Sequence, residues 1–300
     1  MGNVGIVGET HGAGRHATLR SDLRLGAVDL TLALIATAAL FVFLYWQAHQ
    51  GDSDTYRTMG DHMDPDPDVY RYYWLSQAFG WTALLWSWTS VLAGLLTAAS
   101  VSARLPGPRR GLVRLHRATS LTTIVLMAGH AWILVFGNMG ETLLTVTVPW
   151  TGYPGGRFPL ALGFGAFYGS ILLGLTFYLQ GRLGSRAWRA AHRLTVLTYA
   201  LGVWHTLAYG SNVAFAGDWV RTVVWAAQLP VAALLLVRLA RPLSRAERLG
   251  GRPLWRPKPL GRAALALAAS IATLALAFVV LAGHTGGDPS PVDEAEHVGH

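Results

Sequence analysis

The sequence predicts an all-α, polytopic membrane bundle of seven helices. Three observations carry this expectation. Of 300 residues, 52% are hydrophobic and only 13% are charged, the balance of a lipid-embedded chain. Apolar runs recur along the chain, near the ~20 residues that cross a bilayer core as a helix. The connections between them alternate between basic and acidic, as the positive-inside rule requires of a multi-pass protein.

Residues 1–24 read as a polar cytoplasmic tail with Arg15, Arg20 and Arg24. Its glycines, in GNVGIVGETHGAG, follow no strand and precede no Lys-Ser or Lys-Thr, so a flexible tail is expected, not a phosphate loop. A first helix is expected over 25–48. Asp29 lies one turn inside its basic end, where it can pair with an arginine. Tyr45 and Trp46 mark the far interface. Residues 49–69 form an acidic loop with Asp52, Asp54, Asp61, Asp64, Asp66 and Asp68, plus His49 and His62. Pro65 and Pro67 favour an extended, solvated loop; cation capture is the competing use of its carboxylates.

The second helix, expected over 70–101, opens on Tyr70, Tyr72, Tyr73 and Trp74, an aromatic group suited to the headgroup level. The turn ARLPGPRRGLVR is basic and leads to a third helix over 113–137. An outer loop, 138–158, precedes a fourth helix over 159–180. There Gly165, Gly169 and Gly174 permit close approach of another helix or of a cofactor face. The turn GRLGSRAWR is again basic, and a fifth helix follows over 187–209. The sixth, 218–240, contains Pro230 and should kink there. Residues 241–262 form a basic cytoplasmic segment, with Arg241, Arg245, Arg248, Arg252, Arg256, Lys258 and Arg262. A seventh helix over 263–283 then leads to an acidic extracytoplasmic tail, 284–300.

The net charge of +8 resembles a nucleic-acid signal. Its arginines fall on the connections of one side, however, so topology accounts for it and no nucleic-acid partner is expected. The N-terminus is then cytoplasmic and the C-terminus extracytoplasmic, and the third and fifth helices run parallel. Zero cysteines exclude disulfides, iron–sulfur clusters, thiolate haem ligation and cysteine zinc sites. Histidine is left as the strong metal ligand.

Four histidines form a pattern. The third helix reads LHRATSLTTIVLMAGHAWILV (115–135) and the fifth AHRLTVLTYALGVWHTLAYG (191–210). Each opens on His-Arg and carries a second histidine deep in the apolar run. His116 and His130 are 14 residues apart, and His192 and His205 are 13 apart. Either interval is about 20 Å of helix. Histidine at such depth is costly and points to function. Parallel helices pair His116 with His192 at an inner level and His130 with His205 at an outer one. A haem iron held by two imidazoles suits each cross-link, since its macrocycle is apolar. The competing account is four histidines that pack or hydrogen-bond independently. At 100° per residue His116 and His130 nearly share a face, whereas His192 and His205 are about 140° out of phase. A local bend must close that gap, and Gly202 is the expected place.

The paired histidines with their His-Arg openings resemble the ferric-reductase-like transmembrane domain, found in ferric reductases and NADPH oxidases and in the haem subunit of a bacterial methionine-sulfoxide reductase system. The segment VPWTGYPGGRFPLALG (148–163) resembles the loop entering the fourth helix of bacterial members. The resemblance implies a six-helix dihaem domain over 25–240 in a bacterial plasma membrane, plus the seventh helix. Two b-type haems would lie between the third and fifth helices, on His116/His192 and His130/His205. Electrons would pass outward to ferric iron, oxygen or a partner protein. Arg117 and Arg193 would meet haem propionates or lipid phosphates. Tyr199 and Trp204 would line the inter-haem gap or pack in the core. No flavin or nicotinamide domain follows the sixth helix, so a separate flavoprotein or ferredoxin, a bound flavin, or quinone is expected as donor. Two other readings stand beside this one. The first is a quinol-linked dihaem cytochrome b subunit. The second is a histidine-lined metal transporter without haem, which the lack of a carboxylate on the two histidine helices disfavours.

Overall fold

A computed structural model describes residues 10–50, 66–98, 109–149, 151, 157–179, 182, 184–214 and 218–240. The expected seventh helix, the basic 241–262 segment, the acidic tail and residues 51–65 of the acidic loop lie outside the described residues. Within them all regular structure is helical. Among the described residues five helices are long and apolar enough to cross a membrane: Arg24–His49, Pro67–Ala98, Gly111–Phe136, Phe158–Leu175 and Trp219–Arg238.

Helix α1 spans Thr10–His49, so the expected flexible tail is helical from Thr10 onward. Its stretch from Arg15 to Arg24 has no proline or glycine and several good helix formers. A 3-10 turn, Pro67–Tyr70, leads into α2, Arg71–Ala98. Asp66 caps that turn by accepting from the Asp68 N–H at 3.0 Å. Asp68 in turn clasps the end of α1: Tyr45 donates its hydroxyl to it, and His49 Nε2 lies 3.2 Å away. The described end of the acidic loop is therefore a helix junction.

Two sequence expectations are refined here. Asp29 accepts from Trp86 Nε1 at 3.0 Å. The donor is an indole because α2 packs an aromatic at that depth. The Trp74 side chain faces the protein interior and not lipid. It is 1% exposed, and its Nε1 donates to the Pro67 carbonyl at 3.3 Å, because the 3-10 turn folds back over it.

Helix α3 spans Arg109–Trp132 and ends in a 3-10 turn, Ile133–Phe136. Three of its hydroxyls bond back along the helix, while the buried Thr122 hydroxyl has no partner among the described residues. Thr119 donates to Leu115 O at 2.8 Å, Ser120 to His116 O at 2.6 Å and Thr123 to Thr119 O at 2.7 Å. In a medium without water this local bonding removes the cost of a bare polar group. α2 and α3 pack closely along their length, and α1 lies against both. Ala33, Ala83 and Leu126 form the centre of that contact, with Phe79, Trp86 and Met127 around them.

The outer loop holds a short helix α4, Leu143–Thr147, started by a Thr142/Thr145 capping box. Helix α5, Arg157–Leu175, packs on α7. A Cβ at Gly165 would lie 3.1 Å from Leu201, and one at Gly169 would run into the Thr198 methyl. These glycines serve helix approach.

The expected fifth helix is two helices. α6 spans Ser185–His192 and α7 spans Thr195–Tyr209, joined through Arg193 and Leu194. Hydrogen bonds there skip three residues, from Leu194 N–H to Ala191 O at 2.9 Å and from Leu197 N–H to Leu194 O at 2.9 Å. Such 3-10 bonding turns the chain faster than an α-helix, about 120° per residue. The break in the helix falls at this turn and not at Gly202, which sits inside α7, and it adds rotation in the needed sense by about 20° per residue. After a short α8, Ser211–Ala214, the segment from Asp218 forms its own unit. There the expected sixth helix divides into α9, Asp218–Ala226, and α10, Gln228–Ala240. Pro230 has no N–H to offer the Ala226 carbonyl. The Gln228 side chain meanwhile donates to Val224 O at 2.8 Å.

Candidate functional site

The structure brings the four histidines together two by two. The His116 and His192 ring centroids are 5.8 Å apart, with planes at 82°. Those of His130 and His205 are 6.2 Å apart, at 75°. Helices α3 and α7 do not pack closely on one another. α2 backs the first and α5 backs the second, so the imidazoles face each other across the space between.

Three of the four rings are held the same way. His116 Nδ1 lies 2.8 Å from the Ser90 carbonyl, His130 Nδ1 2.8 Å from the Ser76 carbonyl, and His205 Nδ1 2.9 Å from the Pro159 carbonyl. A carbonyl only accepts, so each bond places the proton on Nδ1 and leaves the Nε2 lone pair free. This is the arrangement that orients a metal-ligating imidazole and raises its basicity. The hydroxyls of Ser90 and Ser76 stand 3.1 Å from the same nitrogens.

Each acceptor is followed one turn later by a glycine that faces the ring. A Cβ at Gly80 would come within 2.9 Å of His130 Nδ1, and one at Gly163 within 2.9 Å of His205 Nδ1. One at Gly94 would lie 3.2 Å from His116 Cε1. On α2 the two units read SQAFG (76–80) and SVLAG (90–94), repeated at 14 residues. That is the interval between His116 and His130 on the antiparallel α3. Sequence reasoning passed over these residues; the repeated Ser-x-x-x-Gly was the available signal.

His192 is held differently. Its Nδ1 is buried and has no hydrogen-bond partner among the described residues. The ring stacks on Trp188 at 5.1 Å and 22°, and Trp188 Nε1 is also buried with no partner among the described residues. On α5 the position 14 residues after Gly163 is just past the helix and is Phe177, not glycine. Phe177 packs on Trp188 at 5.9 Å and lies under the Arg117 guanidinium at 4.3 Å. Arg193 is exposed in the turn that follows His192, Tyr199 is buried, and Trp204 is half-buried.

No protein-family model, curated protein or solved structure matches the chain. What the site can hold is therefore argued from its donors. Among the described residues no group of three or more His, Cys, Asp or Glu gathers to hold a metal ion. Each level offers two imidazoles. With metal–imidazole bonds of about 2.0–2.1 Å, two rings opposed on one metal would put their centroids about 6 Å apart. Both observed separations fit, and so does the loose space between α3 and α7. The donor set suits a metal whose remaining positions are filled by a macrocycle.

Proposed function

We propose that this chain is a transmembrane electron carrier with two b-type haems, one on His116 and His192, the other on His130 and His205. The observation that carries the reading is the opposed pairing of four imidazoles across helices that do not otherwise pack closely. The carbonyl bonds on three of them support it. When bound, each haem supplies reversible one-electron chemistry at iron.

The chain's own residues have distinct tasks. The histidines hold, the carbonyls of Ser76, Ser90 and Pro159 aim them, and Gly80, Gly94 and Gly163 make the room. The apolar contact of α1, α2 and α3 excludes water. Arg117 and Arg193, at the His116/His192 end, carry the charge to meet propionates. Electrons enter at that end from a separate flavoprotein, a ferredoxin or quinone and leave at the other to ferric iron, oxygen or a partner protein. This is the chemistry of the ferric-reductase-like membrane domains that the histidine spacing resembles. A quinol requirement would place the chain with quinol-linked cytochromes b. A bare-cation transporter is less well supported, since two neutral nitrogens per level neither complete a coordination shell nor offset the charge.

The test is the visible spectrum and haem content of protein purified after haem-supplemented expression. Two low-spin b-type haems per chain are expected. One haem, or none, would sink the dihaem reading.

A further inference from the structure

The two levels are not equivalent, and the difference lies in one residue. His116, His130 and His205 each have an Nδ1 bond to a helix carbonyl and a glycine facing the ring. His192 has neither. It ends α6 where the helix gives way to the Arg193–Leu194 turn, while the other three sit inside continuous helices. Its orientation comes from one face, the stack on Trp188. A ligating imidazole without an Nδ1 acceptor is a weaker donor and is less fixed in direction.

We propose that His192 is the exchangeable ligand of this protein. A small neutral ligand, carbon monoxide or free imidazole, can then take its place at the His116/His192 level, while the His130/His205 level stays closed. This rests on the dihaem reading and adds a binding position to it. The His130/His205 level has both rings tied to separate helices, α2 and α5, so displacing either costs a buried hydrogen bond. At the other level only His116 is tied.

The probe is carbon monoxide added to the reduced holoprotein. One of the two haems should shift to the carbonyl spectrum and the other should not. The double variant His130→Ala/His205→Ala, which keeps only the first level, should shift fully. His116→Ala/His192→Ala should not shift. A wild-type protein in which neither haem or both haems react overturns the proposal, as does a reversed pattern in the double variants. Should the double variants fail to hold haem, His192→Gly and His205→Gly decide the matter. Imidazole should restore the six-coordinate spectrum in His205→Gly, where the Pro159 carbonyl still anchors it, at lower concentration than in His192→Gly, and equal or reversed concentrations overturn it. Absence of haem from the wild type is a separate outcome that removes the dihaem reading itself and this proposal with it.

Discussion

At Gly80 and Gly163 one added methyl group would meet a histidine ring at 2.9 Å. That is closer than a Cβ normally comes to a ring atom, and both rings are pinned by carbonyl bonds on the same side. Gly80→Ala and Gly163→Ala should therefore each displace a ring and cost the protein the low-spin signal of the His130/His205 level. Gly94→Ala, with 3.2 Å to His116 Cε1, should be milder and give a shifted spectrum with haem retained. Gly202→Ala is the control. Its Cβ would stand 3.7 Å from Ala166 Cβ, an ordinary contact, and alanine is favoured over glycine in a helix by about 1 kcal/mol. It should leave both haems in place and raise thermal stability slightly. Spectra and melting curves of the four variants side by side check this. Equal loss in Gly202→Ala would show that any change in these helices is damaging and would remove the argument from contact.

Between elements, the contact of α5 with α7 can be tested directly because the chain has no cysteine. Ala166→Cys/Gly202→Cys puts two Cβ atoms 3.7 Å apart, inside the roughly 3.5–4.5 Å that a disulfide accepts. Mild oxidation should link the helices. Protease fragments cut in the basic 181–193 stretch should then separate only on reduction. Free thiols after oxidation would contradict the packing of α5 on α7. What could be read at this scale in advance divides by physical cause. The long helices were legible because each is an apolar run of spanning length, and the histidines because a polar ring at that depth stands out. The α6–α7 turn was not, since Arg193 and Leu194 are neither glycine nor proline. Only the missing rotation between His192 and His205 demanded a correction, and glycine propensity placed it wrongly at Gly202. The ring anchors were half legible. Their acceptors are backbone carbonyls, which every residue has, so only the glycines carry a sequence mark. That mark gains meaning once α2 is known to lie antiparallel to α3.

Across the two histidine helices, α3 and α6–α7 start at the same end, the end of the His116/His192 level, and their opening stretches carry Arg109, Arg110, Arg114, Arg189 and Arg193. On the positive-inside rule we propose that this end is cytoplasmic. In the cysteine-free background, Arg110→Cys should react with an impermeant thiol reagent only in inverted vesicles, and Asn138→Cys only in right-side-out ones. The reverse labelling would invert the direction of electron flow. With orientation fixed, the two levels separate by function. His205→Ala removes a ligand at the far level and leaves His116 and His192 opposed. The haem that remains lies about 20 Å deeper by helix rise, so in right-side-out vesicles pre-reduced protein should be re-oxidised slowly by external ferricyanide. His116→Ala leaves the far haem, which should be re-oxidised quickly from outside but reduced slowly from the cytoplasmic side. The asymmetry follows from parallel α3 and α7, which fix the histidines that share a level. Were His116 paired instead with His205, both substitutions would empty the same site and the two rate profiles would coincide.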